Sequence, residues 1–139
     1  MAAITTNIGS SLLKFVFRDE DGDVIASFRM NPADIKLAQR CQDVFDYFSN
    51  IAERAGANET LEDAIKFNDE IEEKICYLLG YDVKQSLFGI ISATSIMADG
   101  NLFVSHVLGK ITSAVGAENQ KRRQAMAKAV SKHTAKYQK

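Results

Sequence analysis

Two short apolar segments lie near the N-terminus, and in the second of them Ile25, Ser27 and Arg29 alternate with Val24, Ala26, Phe28 and Met30. Residues 12–17 and 24–30 are rich in β-branched and aromatic side chains, and the dipeptide Asp21-Gly22 lies between them. An Asp-Gly pair between two such runs is typical of a hairpin, because glycine adopts a positive φ at little cost. The pattern predicts a β-hairpin over residues 12–30, with one apolar face that other elements must cover.

After residue 30, apolar residues recur every three or four positions, which is the period of an α-helix. Asn31 is predicted to cap the first helix and Pro32 to occupy its first turn, where a missing N–H is harmless. Glycines follow the apolar runs, and glycine favours the left-handed conformation that ends many helices. These signals predict helices over about 32–55, from Thr60 to Gly80, over about 82–89 and over about 102–115, a loop over 90–101, and helix ends at Gly56, Gly89 and Gly116.

These elements predict an α+β fold that is mainly helical, with an N-terminal β-hairpin followed by a bundle of four to five helices. We expect residues 1–117 to form a single globular domain, with the hairpin over 12–30 and helices over about 32–115. Residues 118–139 are expected to form a basic amphipathic C-terminal helix or tail. With 139 residues and 46% apolar side chains, the chain can bury a core. The scarcity of Gly, Pro and Cys excludes collagen-like, disulfide-framework and wholly disordered proteins.

Charge is divided unevenly along the chain, although the formal net charge is only −1. Residues 1–118 carry 10 basic and 18 acidic side chains, net −8, whereas residues 119–139 carry seven basic side chains and no acid, net +7. On a helical wheel the lysines of the second segment fall within roughly 80° of one another, opposite an apolar stripe. The segment is therefore either a helix that docks this stripe and offers lysines to an acidic surface or to nucleic acid, or a solvated tail. The candidate basic contact face is Lys121, Lys128, Lys132, Lys136 and Lys139, and the stripe is Met126, Val130, His133 and Tyr137.

The predicted hairpin turn contains three aspartates with the spacing of calcium ligands. Asp19, Asp21 and Asp23 match the first, third and fifth positions of a calcium loop. The twelfth position of such a loop is normally glutamate, but here it is Met30, and glycine stands at the fourth place instead of the sixth. A solvated turn is therefore favoured, and we expect no metal and no cofactor.

Cys41, Cys76 and His106 are the other candidates for chemistry. The two cysteines are 35 positions apart and outside any CxxC motif, so reduced core residues are favoured over a zinc or redox site. A nucleophilic pair of His106 with either cysteine stays open, because such residues meet in space without being close in sequence. No GxSxG, HExxH, P-loop or dinucleotide motif is present, so an enzyme is the least supported class and we expect no catalytic residue.

The sequence gives no sign of targeting to a membrane or for secretion. Residues 1–9 lack the basic region and the apolar run of a secretory signal. The most apolar stretch, residues 87–97, is interrupted by Gly, Ser and Thr and is shorter than the roughly 20 residues that span a bilayer. We therefore expect a cytoplasmic protein with no membrane partner.

Three local patterns occur in the second half of the chain: a hydrophobic-Leu-Gly helix end, a short Leu-Phe-Gly turn, and a helix that reads Phe-x-x-x-x-Leu-x-x-Ile after a variable loop. In this order, and after an N-terminal β-hairpin, they resemble the small tail assembly chaperones of long-tailed phages and prophages of Gram-positive bacteria. The resemblance covers about residues 12–115. The matching residues are Leu79-Gly80, Leu87-Phe88-Gly89, and Phe103 with Leu108 and Ile111.

The resemblance implies a non-enzymatic protein that acts in the host cytoplasm and is absent from the mature virion. Members of this family coat the apolar helical tape measure protein during tail assembly, lead tail tube subunits onto it, and form homo-oligomers. The family has no catalytic or ligand residue to carry over. The candidate partner-binding residues are apolar helix positions that the core does not need, although each is also compatible with a place in the core. They are Phe45, Phe48, Phe88, Ile90 and Ile91.

A second class of function stays open, which is a small phage-encoded nucleic-acid-associated protein or a regulatory or inhibitory binding protein. The basic residues 119–139 favour nucleic acid, but the net charge of −8 on the rest of the chain would repel phosphates. The same acidic surface would suit an inhibitor of a nucleic-acid-binding enzyme.

Overall fold

The computed structural model describes the backbone of residues 2–9 and 12–137, and the side chains of these residues as far as Ala129. It confirms the predicted α+β, mainly helical fold, in which an N-terminal antiparallel hairpin precedes five helices. The elements are β1 (Leu13–Arg18), β2 (Val24–Met30), α1 (Ile35–Phe48), α2 (Ile51–Gly56), α3 (Leu61–Leu79), α4 (Lys84–Phe88) and α5 (Phe103–Tyr137).

The hairpin covers the core with aromatic rings from both strands. Phe15 lies opposite Phe28 in the antiparallel register, and their rings stack at a centroid distance of 4.8 Å. The turn is closed within the chain, because Asp19 Oδ1 accepts the N–H groups of Asp21 and Asp23 at 3.0 and 2.9 Å. This carboxylate therefore accepts hydrogen bonds from the backbone of a β-turn, as the solvated-turn interpretation predicts.

The core lies between the inner face of the hairpin and helices α1, α3, α4 and α5. Helix α4 packs against β2 and α3, and α1 packs against α3. Burial on this scale is the main stabilising term of the fold, since apolar surface gains about 25 cal/mol for each Å² removed from water. The largest side chains that are fully buried are Phe28, Leu37, Ile71, Ile75, Leu78, Val83, Leu87, Phe103, Val104, Val107 and Ile111.

The first helix begins later than the sequence predicts. The Ala33 N–H donates to Asn31 Oδ1 at 3.1 Å, so Asn31 organises a turn rather than a helix cap. Asp34 caps α1 instead, because its Oδ1 accepts the Lys36 N–H at 2.9 Å. Asn and Asp cap helices about equally well, and the local sequence contains one of each.

The helix predicted over residues 32–55 is two helices, α1 and α2, with a break at Ser49 and Asn50. Arg54 from α2 folds back and donates from Nη1 to the Tyr47 carbonyl at 3.0 Å. Its guanidinium also lies over the Tyr47 ring at 4.5 Å and over the Phe67 ring at 5.1 Å. At the break, the Tyr47 carbonyl at the end of α1 thus has the charged Arg54 side chain as its hydrogen-bond donor.

Helix α3 has the ends that the sequence predicts. The Asp63 N–H donates to Thr60 Oγ1 at 3.1 Å, and Gly80 ends the helix with a φ of +82°. Arg40 of α1 donates from Nε to the Leu78 carbonyl at 2.9 Å. A Cβ at position 80 would lie 3.1 Å from Arg40 Nη2, so both the backbone conformation and the neighbouring guanidinium favour glycine.

Helix α5 is one continuous helix of 35 residues, about 52 Å long, so the helix end predicted at Gly116 is wrong. A glycine ends a helix when it takes positive φ, and Gly116 lies in helical conformation instead. The loop predicted over residues 90–101 precedes α5 and contains a turn in which Gly100 has a φ of +86°. Two carbonyls of that loop, Ala93 and Ser95, accept the N–H groups of Val104 and Phe103 and so cap the start of α5.

Candidate functional site

An open apolar groove lies between α1 and α5, with the C-terminal end of α3 as its floor. We call it the α1–α5 groove. Its volume is about 170 Å³, and nearly all of the side chains around it are apolar. The lining residues are Cys41, Val44, Phe45, Phe48, Ser49, Leu78, Leu108, Ile111 and Thr112.

The α1 wall of the groove carries two of the predicted partner-binding residues. Val44 faces the core, and the 100° step of an α-helix turns Phe45 away from it, so 69% of the Phe45 surface is exposed. Phe48, one turn later, is half-buried and packs against the edge of the core. The structure therefore brings an exposed phenylalanine and a half-buried one together on one apolar surface.

The α5 wall of the groove has its polar group satisfied. The Thr112 hydroxyl donates to the carbonyls of Leu108 and Gly109, at 2.9 and 3.2 Å. An apolar helix lying in the groove would thus bury no unpaired hydroxyl on this wall.

The other three predicted partner-binding residues lie outside the groove. Phe88 is only 7% exposed and meets Phe103 edge-to-face at 6.1 Å, so its assignment to a partner surface is corrected to a core position. Ile91 is half-buried against the core. Ile90 is 72% exposed in the loop after α4. Of the five predicted partner-binding residues, only Phe45 and Phe48 therefore line the groove.

The reactive side chains that the sequence left open are engaged in structural contacts. Cys41 lines the groove, and burial raises the pKa of its thiol, which opposes formation of a nucleophilic thiolate. Cys76 Sγ accepts the Val83 N–H at 3.4 Å. His106 contacts Asp99, with Nε2 at 2.9 Å from Oδ2, beside a turn of the preceding loop. Within residues 2–9 and 12–129, no three His, Cys, Asp or Glu side chains are grouped to hold a metal ion.

The predicted basic contact face lies on the part of α5 that extends beyond the core. Lys121 and Lys128 are exposed to solvent. Lys132 and Lys136 belong to the described backbone of α5 but their side chains do not, and Lys139 lies outside the described residues. Arg122 donates a hydrogen bond to the Ala33 carbonyl and so ties this part of α5 to the turn before α1.

A polar contact on α3 that the sequence did not predict holds the loop next to the core. Asn68 Oδ1 accepts the Thr94 N–H at 3.0 Å and its hydroxyl at 2.9 Å, and Asn68 Nδ2 donates to Glu72 at 2.7 Å. Glu72 in turn accepts the Ala93 N–H at 3.2 Å. The only signal in the sequence is the spacing of Asn68 and Glu72 by one helical turn, which many solvated helix faces share.

Comparisons with known proteins add no relative to these observations. The chain matches no protein-family model, no curated protein and no solved structure. Among the helices that the structure describes, none combines the length and the apolar content needed to cross a membrane.

Proposed function

We propose that this protein is a non-enzymatic assembly chaperone that binds apolar helical segments of a phage tape measure protein during tail morphogenesis. The observation that carries the proposal is the α1–α5 groove, an open apolar surface with Phe45 on its rim. In this function the protein acts in the host cytoplasm, hands the tape measure protein to tail tube subunits, and leaves before the virion is complete.

The groove suits a helix better than a small molecule or an extended peptide. It lies between two helices, as do the sites where amphipathic helices dock with apolar residues at i, i+3 and i+4. Leu108 and Ile111 form one wall, and Phe45 on the other wall offers an unburied aromatic ring. A tape measure protein exposes long apolar helical faces that would aggregate if they stayed uncovered. The groove can cover such a face.

The experiment is co-expression of the full chain with a long tape measure protein, followed by measurement of the soluble fraction of that client. We expect the wild-type chain to raise the soluble fraction and Phe45→Ser to lower it towards the level without chaperone. Ile35→Ser is the matched control, because Ile35 lies on the same helix, is 65% exposed and does not line the groove. Both substitutions remove surface side chains, so each should change the free energy of unfolding by less than about 1 kcal/mol.

Comparison of Phe45→Ser with Ile35→Ser tests whether the groove is the client site. A chain that leaves the client insoluble, or a Phe45→Ser variant that acts like Ile35→Ser, would count against the groove as the client site. Binding of an apolar client helix measured by calorimetry should show the negative heat-capacity change that accompanies burial of apolar surface.

A nucleic-acid-associated function is the second candidate, and the observation that favours it is the exposed basic stretch of α5. Residues 119–129 carry four basic side chains and no acid. This function predicts DNA or RNA binding that weakens steeply with salt and disappears when residues 119–139 are deleted. The acidic body weighs against it, because phosphates beyond the basic stretch would meet a surface of like charge.

A further inference from the structure

The face of α5 that packs on the core continues past the end of the core. Val104, Ile111 and Val115 are buried on one side of the helix, and Arg122 on the same side makes the contact with Ala33. Beyond Arg122, every described side chain up to Ala129 is exposed. Met126 continues the core-facing side and is 68% exposed. The distal part of α5, residues 119–129, thus extends past the core, and after Arg122 its side chains have no cover within the described chain.

The charges of residues 119–129 decide what can cover this part of α5. Residues 119–129 have a net charge of +4 with no acid. A second copy of the same helix would bring like charges together and would be repelled. An acidic protein surface would instead attract the helix through Lys121 and Lys128, which lie on the side opposite Met126.

The chain itself offers such a surface on α3. Between Glu62 and Glu73 the helix carries six acids and one lysine, net −5, and five of these acids are exposed. Lys66 pairs with Glu62 at 3.4 Å and Lys84 with Glu73 at 3.9 Å, both at exposed positions where such pairs contribute little. Within the described part of the chain, no ion pair engages Asp69.

We propose that the distal part of α5 docks on the acidic face of α3 in a second copy of this chain. Lys121 and Lys128 are seven residues apart, and so are Glu62 and Asp69, which corresponds to about 10.5 Å along each helix. In a parallel alignment each lysine therefore faces one carboxylate. A two-fold pair makes this contact twice, because each copy supplies one basic helix and one acidic face.

The test is a charge swap followed by sedimentation velocity of the full chain. Lys121→Glu with Lys128→Glu makes the α5 face acidic, and Glu62→Lys with Asp69→Lys makes the α3 face basic. We expect each double variant to weaken self-association by on the order of tenfold, since two attractive contacts become repulsive. An equimolar mixture of the two double variants should associate again, because acidic α5 then meets basic α3 and the reverse.

The control is Lys14→Glu with Lys110→Glu, which changes the net charge as much as Lys121→Glu with Lys128→Glu but lies on β1 and on the proximal part of α5. This variant should associate like the wild type, and the wild type should dissociate between about 50 mM and about 500 mM salt. A wild-type chain that is monomeric at low salt would overturn the proposal, and so would a mixture that fails to associate. Salt-dependent binding of duplex DNA without self-association would assign the distal part of α5 to nucleic acid and would also overturn it.

Discussion

Replacing Gly116 by alanine tests the continuity of α5 through the sign of its effect on stability. In a helix interior, alanine is more favourable than glycine by about 0.5–1 kcal/mol, because glycine loses more backbone freedom on folding. A Cβ at this position meets no atom within 4 Å, so no clash offsets the gain. We therefore expect Gly116→Ala to stabilise the protein by about 0.5–1 kcal/mol. A helix that ended at Gly116 would give the opposite sign, because alanine in the left-handed conformation is strained.

The measurement is thermal and urea unfolding followed by circular dichroism, with wild type and variant at the same protein concentration. For a chain of this size the expected gain raises the melting temperature by roughly 2–4 °C. Gly80→Ala is the matched control, because Gly80 has a φ of +82° and Arg40 stands 3.1 Å from the added Cβ. It should lower the melting temperature. An unchanged or lower melting temperature for Gly116→Ala would refute a continuous α5.

Two further predictions concern the loop that precedes α5. Asn68→Ala leaves the Thr94 N–H and hydroxyl without their acceptor, so the free energy of unfolding should fall by about 1–3 kcal/mol in urea titrations; a change below about 0.5 kcal/mol would show that water replaces this contact. The Asn101 N–H, with a smaller contribution from His106, holds the pKa of Asp99 below its ordinary value. The stability that Asp99 contributes is therefore present above its unfolded-state pKa and is lost as the pH falls through the lower folded-state pKa. Asp99→Asn should reduce the melting temperature at pH 7, and its difference from the wild type should narrow at about pH 3; a constant difference would contradict the assigned cause.

The parts of the fold that the sequence predicts well depend on interactions between near neighbours. Thr60 caps α3 three residues ahead of its partner, and Gly80 ends it with a bond from its own N–H to Cys76 four residues back. The hairpin turn likewise closes on Asp19 within five residues. Each of these contacts is formed by a residue type that favours it at that spacing, so local chemistry is sufficient to predict the element.

The helix end predicted at Gly116 failed because of residues far apart in the sequence. Gly116 is followed by five residues and then by Arg122, which reaches the Ala33 carbonyl 89 positions earlier in the chain. This contact, with burial of Val115, holds the helix together across a position where glycine would otherwise favour an end. Arg54 has the opposite effect at the break between α1 and α2, because its side chain bonds the Tyr47 carbonyl and so stabilises the interruption.

The candidate site was only partly predictable, because periodicity identifies apolar positions without showing which of them remain uncovered. Phe45, Phe48 and Phe88 are the same residue type at apolar helix positions, yet their exposed fractions range from 69% for Phe45 to 7% for Phe88. Phe88 packs against Phe103 at the start of α5, whereas Phe45 lies across the open groove from Leu108 and Ile111. No local pattern encodes that placement.

Continuity of α5 links the two surfaces that the proposals use. Leu108 and Ile111 contribute to the α1–α5 groove, and Lys121 and Lys128 follow about three and about five helical turns after Ile111 on the same helix. The net charge of the chain is thus small because an acidic body offsets a basic helical extension. The packing of α5 on the core fixes the position of this extension. Arg122 holds the start of this extension at Ala33, before α1, whereas Phe67 in the acidic N-terminal half of α3 contacts Arg54, after α1. The proposed contact of the lysines with Glu62 and Asp69 is therefore one between two copies of the chain.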